Sequence, residues 1–179
     1  MTARRSSEVV EGLPITDVLG DRLIGLVRTQ DETYAAFAGT PMPLALVMSW
    51  VQERCLLVLD RWKGCHELPG GTRTDGESLR ITAGREFTEE TGIVAPWLDL
   101  VGIATFELGD ARRREHAALY ETRLELTAEQ ADQFVVDFSP NDEIDALTLW
   151  DPRLPWRSSG GQLDAAIVRW RREIMLTGG

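Results

Sequence analysis

"GGTRTDGESLRITAGREFTEETGI", Gly70–Ile93, sets four carboxylates, Glu77, Glu86, Glu89 and Glu90, around a single arginine, Arg85. The run from about Glu77 to Thr91 reads as a helix, and Gly92 stands where a C-cap residue is favoured. At about 100° per residue, Glu86, Glu89 and Glu90 fall within one ~100° sector of that helix. Leu79, Ala83 and Phe87 form an i, i+4, i+8 apolar ladder, and Glu90 projects at nearly the same angle. The carboxylates therefore border the face that must be buried. Ile81, Gly84 and Thr88 take the opposite side, where an ordinary amphipathic helix would show its charge to water.

Three carboxylates at the margin of a buried stripe repel one another, and desolvation raises their pKa values unless a positive charge compensates. One arginine is too little. Oxygen-only ligands on a rigid helix suit Mg²⁺ or Mn²⁺, and no nearby cysteine or second histidine favours zinc. Taken without its flanks, the segment EFTEE reads better as a solvated acidic helix with Arg85 as a surface ion-pair partner. The upstream spacing decides between the two.

Gly71, five residues, Glu77, seven residues, then Arg85-Glu86-Phe87-Thr88-Glu89-Glu90-Thr91-Gly92-Ile93 resembles the Nudix box. Seven fixed positions match by chance on the order of 10⁻⁹ per start position, so the likeness is specific. ELPGG, Glu67–Gly71, resembles the usual approach to this box, and DEIDALTLWDP, Asp142–Pro152, resembles the family's later acidic loop and following strand. The resemblance covers roughly Pro43 to Trp170. It implies an α/β/α sandwich with a mixed β-sheet that hydrolyses a nucleoside diphosphate linked to another group with Mg²⁺ or Mn²⁺. Carried over by position, Glu86, Glu89 and Glu90 would ligate metal together with the Gly70 carbonyl, and Arg85 would orient Glu86. Glu77 would act as a structural partner of loop and helix. The base that activates water would be Glu86 or Glu143. Two departures are visible: Phe87 replaces a commoner aliphatic residue, and Gly84 inside the helix costs about 1 kcal/mol relative to alanine unless close packing needs it.

The rest of the chain fits one domain of 179 residues, with an N-terminal helical appendage over 1–40 and a Nudix-like core over 41–176. The first ~14 residues are polar and expected to be loose. From Thr16 to Phe37, Val18, Leu19, Leu23, Ile24, Leu26 and Val27 recur at helix-like spacing, which predicts one or two helices. Hairpins are expected over Leu44–Trp62 and Leu98–Leu126, a short helix over Ala128–Phe134, a strand over Ala146–Trp150 and a last helix from Gly161 to Met175. The N-terminal helices could cap the active site or build a homodimer interface.

A net charge of -10 argues against a polymeric nucleic acid partner, and repels a small anionic substrate unless a cation intervenes. Two separated cysteines do not make a disulfide framework, and no window has the roughly 18 apolar residues of a membrane span. A cytoplasmic protein is expected. Lys63 and His66, before the glycine turn, and Arg73, after it, are the candidates for contact with the substrate phosphates, although His66 is more often a loop residue. Arg112, Arg113 and Arg114 form a basic hairpin tip, and Trp50, Trp62 and Trp97 invite a base-stacking role that tryptophans in strands seldom have. Cys65 beside His66 is weak ground for a nucleophile. Two rivals to hydrolysis stand: a non-catalytic nucleotide-binding module, which a lost box carboxylate would favour, and a prenyl diphosphate isomerase, for which Cys55 and Cys65 are not convincingly placed.

Overall fold

A computed structural model describes residues 12–31, 33 and 39–177. Strands β1 (Ile15–Thr16), β2 (Arg22–Arg28), β3 (Leu44–Val51), β4 (Arg54–Asp60), β5 (His66–Glu67) and β6 (Gly70–Thr72) precede helix α1 (Leu79–Thr91). Then follow β7 (Asp99–Leu108), β8 (Arg113–Arg123), helix α2 (Ala128–Asp137), β9 (Ile144–Trp150) and helix α3 (Gln162–Thr177). One mixed sheet runs β1-β2-β7-β8-β3-β4-β5, with β6 also on β3 and β9 also on β4.

Strand β3, LALVMSWV, is buried over nearly its whole length, as a strand covered on both faces must be. It pairs in parallel with β8, from Leu44↔Ala117 to Trp50↔Arg123. On its other edge it changes partner, pairing β6 through Leu44–Leu46 and β4 through Ser49–Val51. Alternating residues feed two cores. Val47, Leu56, Ala118 and Tyr120 meet Ala83 and Phe87 of α1, with Phe134 and Val135 of α2 at the margin. Met48, Trp50, Leu57 and Leu119 meet Ile167, Val168 and Trp170 of α3. The result is the expected α/β/α sandwich. Trp170 comes so close to β7 that a methyl group on Gly102 would stand 2.6 Å from its ring. A buried ion pair fastens α3 as well: Arg171 donates to both Glu121 oxygens (2.7 and 2.9 Å), and Trp50 Nε1 donates to the same carboxylate.

Among the described residues, strands stand in place of the expected N-terminal helices. Ile15–Thr16 and Arg22–Arg28 are strands, and β2 pairs antiparallel with β7. A bulge between Leu23 and Gly25 leaves Ile24 extra, so Leu23 and Leu26, three residues apart, are both buried on one face. The bulge thus imitates helical spacing. The part of that expectation over 32 and 34–37, and the looseness expected of 1–11, lie outside the described residues. The other elements stand where expected, with β8 beginning earlier, at Arg113. No helix among the described residues is long and apolar enough to cross a membrane.

Candidate active site

Helix α1 starts two residues later than its sequence suggests because Ser78 takes the N-cap, its hydroxyl accepting the Ile81 N–H (3.3 Å). Glu77 is therefore outside the helix, where its carboxylate can turn back on the loop. It accepts Arg85 Nε (2.8 Å) and Nη2 (3.0 Å), the Thr82 hydroxyl (3.0 Å) and the Thr74 N–H (3.3 Å). The Arg85 guanidinium, first among these partners, holds the Glu77 carboxyl down at about 2. Gly92, at φ 74°, closes the helix with its N–H on the Thr88 carbonyl (2.9 Å).

Arg85 serves three carboxylates at once. Besides Glu77, its Nη1 lies 2.9 Å from Glu86 Oε1 and 3.0 Å from Glu89 Oε2. Burial raises the Glu86 carboxyl, opposed by Arg85 and assisted by the charges of Glu89 and Glu143. Glu90 lies deeper: burial pushes it up to about 8 even though the Gly70 N–H donates to its Oε2 (3.0 Å). Glu86, Glu143 and Glu67 push it the same way.

The Gly70-Gly71 strand edge is shaped around these groups. Gly70, at φ 153°, has no room for a β-carbon against the Ala45 carbonyl. A β-carbon on Gly71 would stand 2.5 Å from the Glu86 carboxyl. The two glycines let backbone and carboxylates meet without a side chain between them.

Glu143 reaches the site on an ordered loop. Asn141 Oδ1 accepts the N–H groups of Glu143 (2.9 Å) and Ile144 (2.8 Å), and Asn141 Nδ2 donates to the Glu89 carbonyl on α1 (3.2 Å). Sequence reasoning missed Asn141. The signal was its place in the middle of the SPNDE turn cluster, where asparagine closes loops on their own backbone. It also gave Glu67 no role, though the ELPGG run contained it.

The remaining candidates divide. Lys63 Nζ is bonded to Glu67 Oε2 (2.7 Å) and so stands near the carboxylates through Glu67. His66 turns to the α3 side, its Nε2 3.0 Å from Thr148 Oγ1 and its ring edge-on to Trp156. Arg73 donates its N–H to the Pro43 carbonyl and lines a shallow pocket of ≈ 390 Å³ with Thr74, Asp75, Gly76 and Glu77. The basic tip is consumed locally: Arg112 donates to the Gly20 carbonyl, Arg113 pairs with Glu115 and Arg114 with Glu107. Cys65 is buried and its thiol is pushed up to about 12 by burial, then by Glu67, which leaves it a poor nucleophile.

The family model for the NUDIX domain matches residues 43–170. The chain belongs to the Nudix family. Among solved structures its fold is similar to the pyrophosphohydrolase BsRppH of Bacillus subtilis, with a TM-score of 0.62, 19% identity, and 93% of this chain and 97% of that chain covered. It is also similar to the NUDIX domain of Shewanella oneidensis NrtR, solved with ADP ribose, with a TM-score of 0.54, 19% identity, and 79% and 92% covered. A MutT NUDIX hydrolase from Burkholderia pseudomallei gives a TM-score of 0.51, 21% identity, and 66% and 89% covered. No curated protein matches the sequence. At these identities the Nudix structures speak to the fold. Within the Nudix box, all four glutamates, the arginine and both flanking glycines are present in this chain.

Proposed function

We propose that this protein is a divalent-cation-dependent pyrophosphohydrolase that cleaves a diphosphate linkage in a nucleoside diphosphate derivative. Nucleoside triphosphates, modified or not, come first as substrate, and nucleoside diphosphate conjugates second. The observation that carries the reading is the pair Glu86 and Glu90, both drawn out of water beside the glycine edge, with Arg85 offsetting Glu86 and only the Gly70 N–H offsetting Glu90. Carboxylates held this way are deficient in positive charge.

The donor set fits Mg²⁺ or Mn²⁺: it is all oxygen, from Glu86, Glu89, Glu90 and the Gly70 backbone. Among the described residues no three acidic, imidazole or thiol groups already converge on one point. Glu89 is turned to Arg85 and Glu90 to the Gly70 N–H. When bound, such a cation neutralises charge on the non-bridging phosphate oxygens and acidifies a water.

The chain's own residues supply the rest. Arg85, fixed by Glu77, restrains Glu86. Glu143 carries no salt bridge or side-chain hydrogen bond among the described residues and rides on the loop that Asn141 ties to α1. That leaves it open to take the proton of a water as the water oxygen bonds to phosphorus, while the bridging oxygen leaves with the electrons of the broken P–O bond. Glu86, engaged by Arg85, is the second choice.

The test is release of phosphate or pyrophosphate from nucleoside triphosphates, diphosphate sugars and dinucleoside polyphosphates, with Mg²⁺, with Mn²⁺ and with chelator. Cleavage of one class that stops in chelator is expected. Compounds that survive intact but raise the melting temperature would point instead to a nucleotide-binding module. For the base, Glu143→Gln should change the pH–rate profile, and an unchanged profile transfers the role to Glu86.

A further inference from the structure

Trp62 is 80% exposed, the most exposed of the six tryptophans, and it stands on a turn beside the site. Of the others, Trp50 and Trp170 are core, and Trp150 and Trp156 pack edge-on at 4.8 Å. Trp97 is half as exposed, at 40%. A large apolar ring in water is unfavourable, and within this turn the ring has no packing role that would account for it.

The turn itself is firmly built. Asp60 Oδ1 accepts the N–H groups of both Trp62 and Lys63 (2.7 Å each), and the Gly64 N–H donates to the Asp60 carbonyl (2.8 Å). Three further ties join it to the region of the candidate site. The Arg61 N–H donates to the Glu143 carbonyl (2.8 Å) and Arg61 Nε to Asp145 (2.7 Å), while Lys63 reaches Glu67. Both cations beside Trp62 are thus already paired with carboxylates. What the turn offers a ligand is a ring on a fixed mount, next to the loop that carries Glu143.

We propose that Trp62 is the stacking surface for the planar ring of a nucleotide substrate whose phosphates lie on the Glu86–Glu90 ledge. The assignment rests on the pyrophosphohydrolase reading and adds the base as a recognised element. Stacking on an aromatic side chain tolerates any base, because every base has a π-face. Trp62 therefore recognises nucleotides as a class over phosphate chains that lack a base, and the mount, ordered before binding, removes most of the entropy cost.

The experiment compares wild type, Trp62→Ala and Trp62→Phe on ATP, GTP and inorganic tripolyphosphate with Mg²⁺, and measures equilibrium binding of ATP in chelator. For Trp62→Ala the preference in kcat/KM for ATP over tripolyphosphate should fall roughly 5- to 100-fold, carried by KM, and ATP binding should weaken in parallel. Trp62→Phe should restore most of both. A preference and a binding constant within twofold of wild type in Trp62→Ala overturn the inference while leaving the hydrolase intact. Equal losses in the Ala and Phe variants also overturn it, since they would reflect packing of the turn. If wild type cleaves nothing yet binds ATP in a Trp62-dependent way, the inference stands and the hydrolase falls. If wild type neither cleaves nor binds nucleotide, both fall.

Discussion

The Gly71 α-carbon faces the Glu86 carboxylate so closely that a single methyl group placed there would come within 2.5 Å of it. Its neighbour Gly70 is bounded instead by backbone, the Ala45 carbonyl and the Leu46 α-carbon. The two glycines should therefore fail differently. Gly71→Ala displaces the end of a flexible side chain, so stability should drop by less than about 1 kcal/mol; with Glu86 in the role proposed above, turnover should fall about 100-fold. Gly70→Ala must move strand against strand and should cost about 1–3 kcal/mol. Urea unfolding and steady-state turnover on both variants separate the two.

Glu77 and Glu90 give stability opposite slopes with pH. Glu77, held at about 2 by Arg85 against an ordinary 4.5, is charged when folded and protonated when unfolded between those values, so stability rises with pH there. Glu90, raised to about 8 by burial, keeps a proton in the folded state that the unfolded chain has lost. Metal-free protein should thus become less stable from about 4.5 up to about 8, and Asp164, also raised by burial to about 8, adds to that slope. Glu90→Gln should flatten the decline without unfolding the chain, and should lower turnover by at least about 100-fold. Unfolding in chelator at pH 5 and pH 8, with a kinetic assay at neutral pH, checks each part.

Gly84 is a cost with no visible return. A β-carbon there would meet only Leu98 Cδ1, at an ordinary 3.6 Å, so no close approach requires glycine. Gly84→Ala should stabilise the protein by about 0.5–1 kcal/mol with turnover unchanged. A lower melting temperature would show that Leu98 cannot take the methyl group.

Glu121 and Arg171, 8% and 14% exposed in their side chains, form the ion pair that joins α3 to β8. Arg171→Ala strands a buried carboxylate beside Trp50 and should cost about 3–5 kcal/mol. Adding Glu121→Gln should recover much of that loss, because the orphaned charge is gone. A double-mutant cycle by urea unfolding measures the coupling.

The box was legible because its chemistry depends on residue identity at fixed spacing: the sector holding Glu86, Glu89 and Glu90 follows from helical geometry alone. The two central hairpins and α3 were legible from periodicity. What failed was β2, where the extra Ile24 shifts the alternation and puts Leu23 and Leu26 on one face. A sequence shows the spacing of apolar residues but not the bulge that produces it. Glu121 was overlooked for another reason. One acid in the apolar run HAALYETRL has no visible partner until α3, fifty residues later, brings Arg171 over it. Asn141 likewise gains its meaning only when its loop meets the Glu89 carbonyl.

The parallel pairing of β3 with β8 also sets the order in which this protein can be assembled. Hairpin β3–β4 and the β6 edge are local and can form early, yet α1 rests on Ala45 and Val47 together with Ala118 and Tyr120. Half of that floor lies in β8, whose residue Ala117 pairs with Leu44 across most of the intervening chain. Contacts so distant in sequence close late, after their loop entropy has been overcome. A growing chain that has already emerged beyond Gly92 therefore has all its box carboxylates and only half the seat for their helix. The acidic helix has its whole floor only once β8 has been synthesised and paired, so a nascent chain is expected to gain activity no earlier than that.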